Sequence, residues 1–505
     1  MNPAPEQRLA ANVLSQFGST IVGLTSGALL SILLARALGP AEMGSFSLAL
    51  VIVGGLQAAA GFGLARTALK FSAELAAEAA APRAVWWLLV RRLGWALVAA
   101  VGLAATAPLF GLFFHDPRLP PLLIVGSGLL LAELLGGVLE SALEGSSRFG
   151  LLARVSLLLG PINLGATLAA LAMGGGAVGV MLVQLFNGLL SLALMAVLSH
   201  RVGVLAWRPG QPRSDLVARM VRFARQGYLL SMVGFVVHDR AEVLVLGALT
   251  TSEEIGFYSV ALSAAESAMS LGPLIVATVF FPLLVADWAR ADRLALRARY
   301  TQCIRYLALA AAPLALGGIA VAEALVAVVF GPDYSAMVPL LRVTLLAAAA
   351  AALAQGPASI LAAAERQDWL LRVRVPLAAA NLVLDVALVP RFAAIGAACA
   401  VLAVAVAEGL LLGVLAWRLG AAAPASGLAV PFIAAGVAAA AAALALGDRA
   451  DAVGLIIGIL VAIPIYFGIL VLCRFFHAGD AELVRPLLAR LSPLWRARRS
   501  LGAGR

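Results

Sequence analysis

Charged residues are scarce: Asp, Glu, Lys and Arg make up 12% of the 505 residues, and aromatics only 7%. So little polar surface cannot coat a water-soluble globule of this size, which leaves lipid as the solvent. Cysteine is nearly absent as well. Cys303, Cys399 and Cys473 lie far apart in apolar surroundings, so neither a disulfide framework nor a metal-ligand spacing is present, and they read as buried small hydrophobes. The four histidines, His115, His200, His238 and His477, fall in different segments, and neither a Walker-type phosphate loop nor a zinc-protease motif occurs. The sequence therefore predicts no enzyme, no metal and no cofactor. Without an ATP site, net movement of any substrate must use an ion gradient, its own gradient, or consumption of product on the far side. Lysine is reduced to Lys70, so the net charge of +10 is carried by arginines. These lie in short gaps and at the C-terminus instead of one patch interleaved with aromatics, which excludes nucleic acid as a partner.

What is present is apolar: 63% hydrophobic residues and a mean hydropathy of +1.01. A bilayer core of roughly 30 Å takes about 20 apolar residues per helical crossing, and such runs recur throughout. They are unbroken and rich in Ala and Leu, whereas a β-barrel needs short alternating segments. The first run, from about Val13 to Ala35, is too long for a signal-peptide core and reads as a first transmembrane helix. Fourteen spans follow, centred near Ile21, Val53, Ala104, Leu130, Leu164, Phe186, Phe235, Leu271, Leu316, Ala350, Val383, Ala405, Ala438 and Leu460. Arginines collect in the even-numbered gaps. The gap after span six holds Arg201, Arg208, Arg213, Arg219, Arg222 and Arg225, and the gap after span eight holds Arg290, Arg293, Arg297, Arg299 and Arg305. Odd-numbered gaps carry at most one each, as at Arg36, Arg118 and Arg342, which predicts cytoplasmic termini.

The basic stretch 200–225 divides the chain into halves that repeat. Glu42, Gly44, Phe46, Ser47, Ala49 and Leu50 return as Glu254, Gly256, Tyr258, Ser259, Ala261 and Leu262 at an offset of 212. Leu152, Arg154, Val155 and Asn163 return as Leu370, Arg372, Val373 and Asn381 at 218. With six spans per half, both copies start on the same side and are parallel repeats about an axis along the membrane normal. The expected organisation is a six-helix lobe over 1–199, a cytoplasmic linker over 200–225, a second lobe over 226–420, a helix pair over 421–475 and a basic cytoplasmic tail over 476–505. The fold class is an all-α polytopic membrane protein, two pseudo-symmetric lobes around a central cavity, and rocking of one lobe against the other is the expected mechanism.

The segment from Leu34 to Phe46, Leu-Ala-Arg-Ala-Leu-Gly-Pro-Ala-Glu-Met-Gly-Ser-Phe, resembles the signature closing the first helix in Wzx-type polysaccharide flippases of the multidrug/oligosaccharidyl-lipid/polysaccharide exporter superfamily. Leu244 to Ala261, Phe330-Gly331-Pro332-Asp333-Tyr334 with Pro339-Leu340-Leu341, and Asn381 to Ala398 agree with it, so the resemblance spans about 10–420. It implies fourteen helices and movement of an undecaprenyl-pyrophosphate-linked oligosaccharide from the cytoplasmic to the periplasmic leaflet of a bacterial inner membrane, for exopolysaccharide, O-antigen or capsule. Its expected partners are that lipid-linked oligosaccharide, membrane lipids, and the polysaccharide polymerase and chain-length machinery. The chain departs from the family where Glu242-Val243 precedes Gly247, in place of an acidic-basic pair. A cation-coupled multidrug exporter or a lipid II flippase of the same superfamily, and a non-transporting assembly factor, are the alternatives; the arginine-rich opening of lipid II flippases is missing.

Ionisable groups inside spans cost roughly 2.5–3.5 kcal/mol on insertion scales and therefore face a cavity or a partner. The candidates for substrate binding or translocation are His238, Asp239, Arg240 and Glu242 in span seven, Glu266 in span eight, and Glu133 and Glu140, seven apart on one face of span four. Glu323, Asp385 and Glu408 are further acids. Against this stands a plainer reading, in which Asp239 or Glu242 merely neutralises Arg240, the Ser259, Ser263, Ser270 stripe is packing, and Glu323 and Glu408 reach water near an interface. Arg240 corresponds to Ala28 at the 212 offset, so the scaffold does not require it, and a guanidinium suits a pyrophosphate or an acidic sugar.

Overall fold

The computed structural model describes residues 5–75, 80–207, 211–238, 241–421, 426–447 and 449–476, with side chains from residue 27 onward except 226, 229–238, 271 and 426. Helices account for almost all of it, and no strand occurs among the described residues. The first half comprises α1 (Pro5–Ala60), α2 (Leu64–Glu74), α3 (Ala81–Phe113), α4 (Leu119–Gly145), α5 (Phe149–Ala172) and α6 (Gly176–Arg201). The second comprises α7 (Ser214–His238), α8 (Glu242–Leu249), α9 (Ser252–Met269), α10 (Leu271–Ile275), a π-helical turn at Val276–Phe280, α11 (Phe281–Ala289), α12 (Arg293–Ala320), α13 (Ala322–Val329), a 3-10 turn at Pro332–Met337, α14 (Val338–Ala363) and α15 (Gln367–Arg418). A final pair, α16 (Ser426–Leu446) and α17 (Ala452–Leu472), follows.

Two of these helices are each two crossings joined at a break. α1 turns at Gly39, whose φ of 72° and ψ of 171° are non-helical; the following Pro40 has no N–H to give the ladder. α15 turns at Ala393 (φ 48°, ψ −135°), three residues after Pro390. Eleven helices among the described residues are long and apolar enough to cross a membrane. Dividing α1 and α15 at their breaks and adding the α7–α8 crossing gives the fourteen spans expected from the sequence. The basic stretch 200–225 is not loop throughout. α7 begins at Ser214 with Asp215 in its first turn, and Leu216, Met220 and Ala224 bury one face, so Arg219, Arg222 and Arg225 ride on a helix.

Apolar side chains such as Leu112, Leu444 and Leu472 stand on the outside, as lipid solvation requires, while small residues fill the interior. Ala312 of α12 packs with Ala434, Ala435 and Ala438 of α16, which seats the final pair against the second lobe. Arg92 on α3 is buried to 4% exposure and spends its guanidinium on backbone, donating to Leu134 O at 2.9 Å and to the carbonyls of Ala60 and Gly61 that end α1.

The hydrophobic clusters show how the lobes meet. One large cluster joins Leu34, Phe46 and Leu48 of α1 to Val243, Leu246, Tyr258 and Tyr334 of the second half. At the far ends of the helices the clusters separate: one holds Phe71, Leu88 and Leu139 with the first turns of α7, and another holds Leu284, Tyr300 and Ile360. At the seam end the lobes share one large core; at the far end the contact between the halves is made by α7, whose Leu216, Met220 and Ala224 pack into the core of the first lobe.

Candidate functional site at the seam between the lobes

The repeated motif forms that shared end. α1 beyond its break crosses α9 where Gly44 meets Gly256, its own counterpart at the 212 offset. A Cβ on Gly44 would overlap the Ser252 carbonyl oxygen, and one on Gly256 would overlap that of Pro40. Backbone touches backbone in both directions, the close approach that small residues permit between helices in lipid. The observed seam is thus made by the second and eighth spans.

The acid of the same motif acts inside its own lobe. Glu42 Oε2 accepts the Ala177 N–H at 3.2 Å, and Glu254 Oε2 accepts the Ala394 N–H at 3.3 Å. The residues just before those amides, Gly176 (φ 54°) and Ala393 (φ 48°), both sit in the left-handed region. Each carboxylate therefore caps the positive end of the last helix of its six-helix lobe. Glu42→Ala and Glu254→Ala are each expected to cost about 0.5–2 kcal/mol. Glu254→Ala should be the costlier, because Ala393 holds a positive φ without being glycine. Thermal unfolding in detergent measures both, and two unchanged midpoints would remove the capping role.

The second register places Asp116, between α3 and α4, opposite Tyr334 at an offset of 218. Asp116 is 2% exposed. Its Oδ2 accepts from Ser45 Oγ at 2.5 Å in its own lobe and from Ser252 Oγ at 2.9 Å in the other, while Oδ1 accepts the Arg118 N–H at 2.9 Å. Tyr334 OH donates to Ala35 O at 3.0 Å, and Arg36 donates to Val328 O at 2.5 Å. Each inter-helix turn thus sends one side chain into the opposite lobe. The sequence contains Asp116 and Tyr334 in plain view, but a turn acid carries no periodic signal, and their pairing across the seam is tertiary.

The acids inside the spans fall into separate places. Glu242 opens α8 at 8% exposure and accepts from Tyr258 OH at 3.0 Å. α8 packs on α15, the helix that carries Asp385, itself 1% exposed. Asp385 Oδ2 accepts from Asn381 Nδ2 at 3.3 Å, and its Oδ1 has no hydrogen-bond partner. Glu266 is exposed on α9. Glu133 is half-buried and Glu140 exposed on α4, and neither makes a hydrogen bond or ion pair to a described residue. Glu408 is held by Arg374 at 2.8 Å, with both side chains mostly covered, so it is a structural partner and not a group reaching water. Glu323 pairs with Arg342 at 2.9 Å on an exposed surface. Asp239 and Arg240, and the side chain of His238, lie outside the described residues. The structure therefore packs the helix of Glu242 on that of Asp385, a residue given no special weight by sequence, while Glu133 and Glu140 stand on α4 and Glu266 on α9.

Residues 33–339 match the model of a family described as polysaccharide biosynthesis protein, well over half of the chain. The chain belongs to that family. No curated protein matches it. Among solved structures, this polysaccharide biosynthesis protein is similar to the lipid II flippase MurJ in an inward closed conformation, with a TM-score of 0.72 at 14% identity, covering 95% of this chain and 100% of that one. It is also similar to an inward-facing multidrug resistance MATE transporter of the MOP superfamily, with a TM-score of 0.58 at 14% identity over 80% of this chain and 93% of that one. The eukaryotic MATE transporter AtDTX14 gives 0.54 at 14% identity over 81% and 96%. At such identity the likeness is one of fold: the chain has the two-lobed MurJ/MATE architecture, and its apolar helices make it a multi-pass membrane protein.

Proposed function

We propose that this protein flips an undecaprenyl-pyrophosphate-linked oligosaccharide from the cytoplasmic to the periplasmic leaflet of the inner membrane by alternating access, supplying exopolysaccharide, O-antigen or capsule synthesis. The observation that carries this is the seam between the two repeats in a chain of the polysaccharide biosynthesis family: the lobes cross backbone to backbone at Gly44 and Gly256, over a small area. Rocking needs such a contact, tight but small, that can break while each lobe stays intact. The alternation of arginines supports cytoplasmic termini. With the N-terminus in the cytoplasm, the Gly39 break and the seam face the periplasm, and the end where α7 packs on the first lobe faces the compartment where the lipid-linked sugar is assembled. Arg240, at the junction of α7 and α8, is the proposed ligand for the pyrophosphate.

The test is direct. In cells lacking their own flippase, the wild-type chain should restore polymer, and in proteoliposomes it should expose a labelled lipid-linked oligosaccharide to a membrane-impermeant glycosidase. Failure of both ends the flippase reading. Arg240→Ala should lose the activity at normal membrane abundance and Arg240→Lys should keep part of it, since lysine retains the charge without the bidentate fork. Full activity of Arg240→Ala would remove it as a ligand. Labelling of a cysteine in the Arg290–Arg305 segment from the periplasm would reverse the orientation.

A further inference from the structure

A cavity of about 630 Å³ opens between the α1–α2 turn, the first half of α3 and the start of α7, at the end of the molecule opposite the seam. Four rings line it. Phe62 lies 5.0 Å from Trp95 and stacks on Tyr228 at 5.3 Å, and Trp87 completes the wall. Arg91, Arg222 and Arg225 line the same space, and among the described residues no carboxylate does. None of the three has an ion-pair partner among the described residues. The nearby acid Glu74 is taken by Arg219 at 2.5 Å, and the adjacent Arg92 is turned inward and bound to carbonyls. Three cations around one hollow give it a positive potential that suits an anion.

Depth identifies the source of that anion. From Leu93 to Phe113, α3 carries no charge, and at about 1.5 Å per residue this run is roughly 30 Å long, the thickness of the hydrocarbon core. Arg91 therefore sits at the hydrocarbon boundary, with Trp87 below its guanidinium at 5.1 Å. Tyr228 stands at the same place on α7, where apolar sequence begins. Trp86 and Trp207 pack edge to face at 5.6 Å at this level, in the manner of an interfacial aromatic belt. A basic hollow walled by apolar rings and opening at headgroup depth matches a phosphate carried on a lipid.

We propose that this cavity binds the phosphate or pyrophosphate headgroup of a membrane lipid from the adjoining leaflet, with Arg91, Arg222 and Arg225 as ligands and the aromatic wall against the start of the acyl or prenyl chain. This does not rest on what the protein transports. The full chain, purified in detergent, is to be unfolded thermally with phosphatidylglycerol, a polyprenyl pyrophosphate, phosphatidylcholine or inorganic pyrophosphate added. The two anionic lipids should raise the unfolding midpoint and phosphatidylcholine should not. The Arg222→Gln, Arg225→Gln variant removes two exposed side chains without touching the core, and it should weaken apparent affinity roughly tenfold per arginine. Adding Arg91→Ala should abolish the shift, while Arg391→Ala, on another element, should keep it. A response to phosphatidylglycerol points to bulk anionic lipid as the natural occupant, one confined to the polyprenyl pyrophosphate points to the prenyl carrier, and an equal response to inorganic pyrophosphate points to a soluble phosphate. An equal shift in wild type and the Arg222/Arg225 variant, or the same loss in Arg391→Ala, overturns the proposal.

Discussion

Gly44→Ala is expected to abolish transport in a protein that still inserts and keeps its helices. The added methyl would occupy the position of the Ser252 carbonyl oxygen, and the atoms it meets are backbone that cannot rotate away as a side chain would. Overpacking commonly costs about 1–3 kcal/mol, and a backbone contact belongs at the upper end, so the closed state should lose about 100-fold in occupancy. Only the conformation with the seam parted relieves the clash. Gly256→Ala should match it, because the Pro40 carbonyl stands in the equivalent place. Spin labels at Ala41 and Glu253, beside the crossing, should move apart in either variant. Asp116→Ala should act in the same direction without blocking closure: of its two hydroxyl contacts only the one to Ser252 crosses the seam, and losing it costs about 1.5–3 kcal/mol. Wild-type transport with an unchanged label distance in Gly44→Ala would show that the seam never needs to close this tightly.

The second large effect is expected at Asp385, where stability and activity should move in opposite directions. Its Oδ1 is buried without a hydrogen bond among the described residues, and its helix packs on the one that carries Glu242. A carboxylate so placed destabilises the fold, so Asp385→Asn, nearly isosteric and neutral, should raise the unfolding midpoint by a few degrees, about 1–2 kcal/mol. If the two acids hold the coupling proton or cation, the same change should lower transport by at least about 100-fold at normal abundance, the trade expected where a strained group is retained for function. Glu242→Gln should lose transport too, but with less gain in stability, because Tyr258 already satisfies one of its oxygens. A purely structural acid would give the converse, a lower midpoint and intact transport. Asp385→Asn with full activity would end its role in coupling.

The repeat was legible because both halves spell it with the same residue types, and the structure assigns those residues their tasks. Glu42 and Glu254 recur since two helices need the same cap, and Gly44 and Gly256 recur since each is the other's contact. The two offsets, 212 and 218, reflect the segments they come from: helices two and eight set the first, and the fifth and eleventh, with the turns bearing Asp116 and Tyr334, set the second. Charges were harder to read. Glu408 looked like a group reaching water, but it is matched by Arg374, 34 positions earlier in the chain, across the break at Ala393. Asp385 looked like one more acid among several, because nothing in its local sequence announces Glu242 on another helix.

By itself the sequence determined the solvent, the secondary structure, the count of crossings and the twofold repeat. Each of these follows from local sums, of apolar length against bilayer thickness and of one segment against its copy, which need no knowledge of neighbours. Only the tertiary structure decided which faces of the two halves meet, that Asp116 serves both lobes, that the helix of Glu242 packs on that of Asp385, and that Arg91, Arg222 and Arg225 line one hollow. The physical reason is that helices in lipid gain almost nothing from hydrophobicity when they associate. Which faces meet is settled by the close approach of small residues and by single hydrogen bonds between segments far apart in the chain, and a periodic pattern records neither.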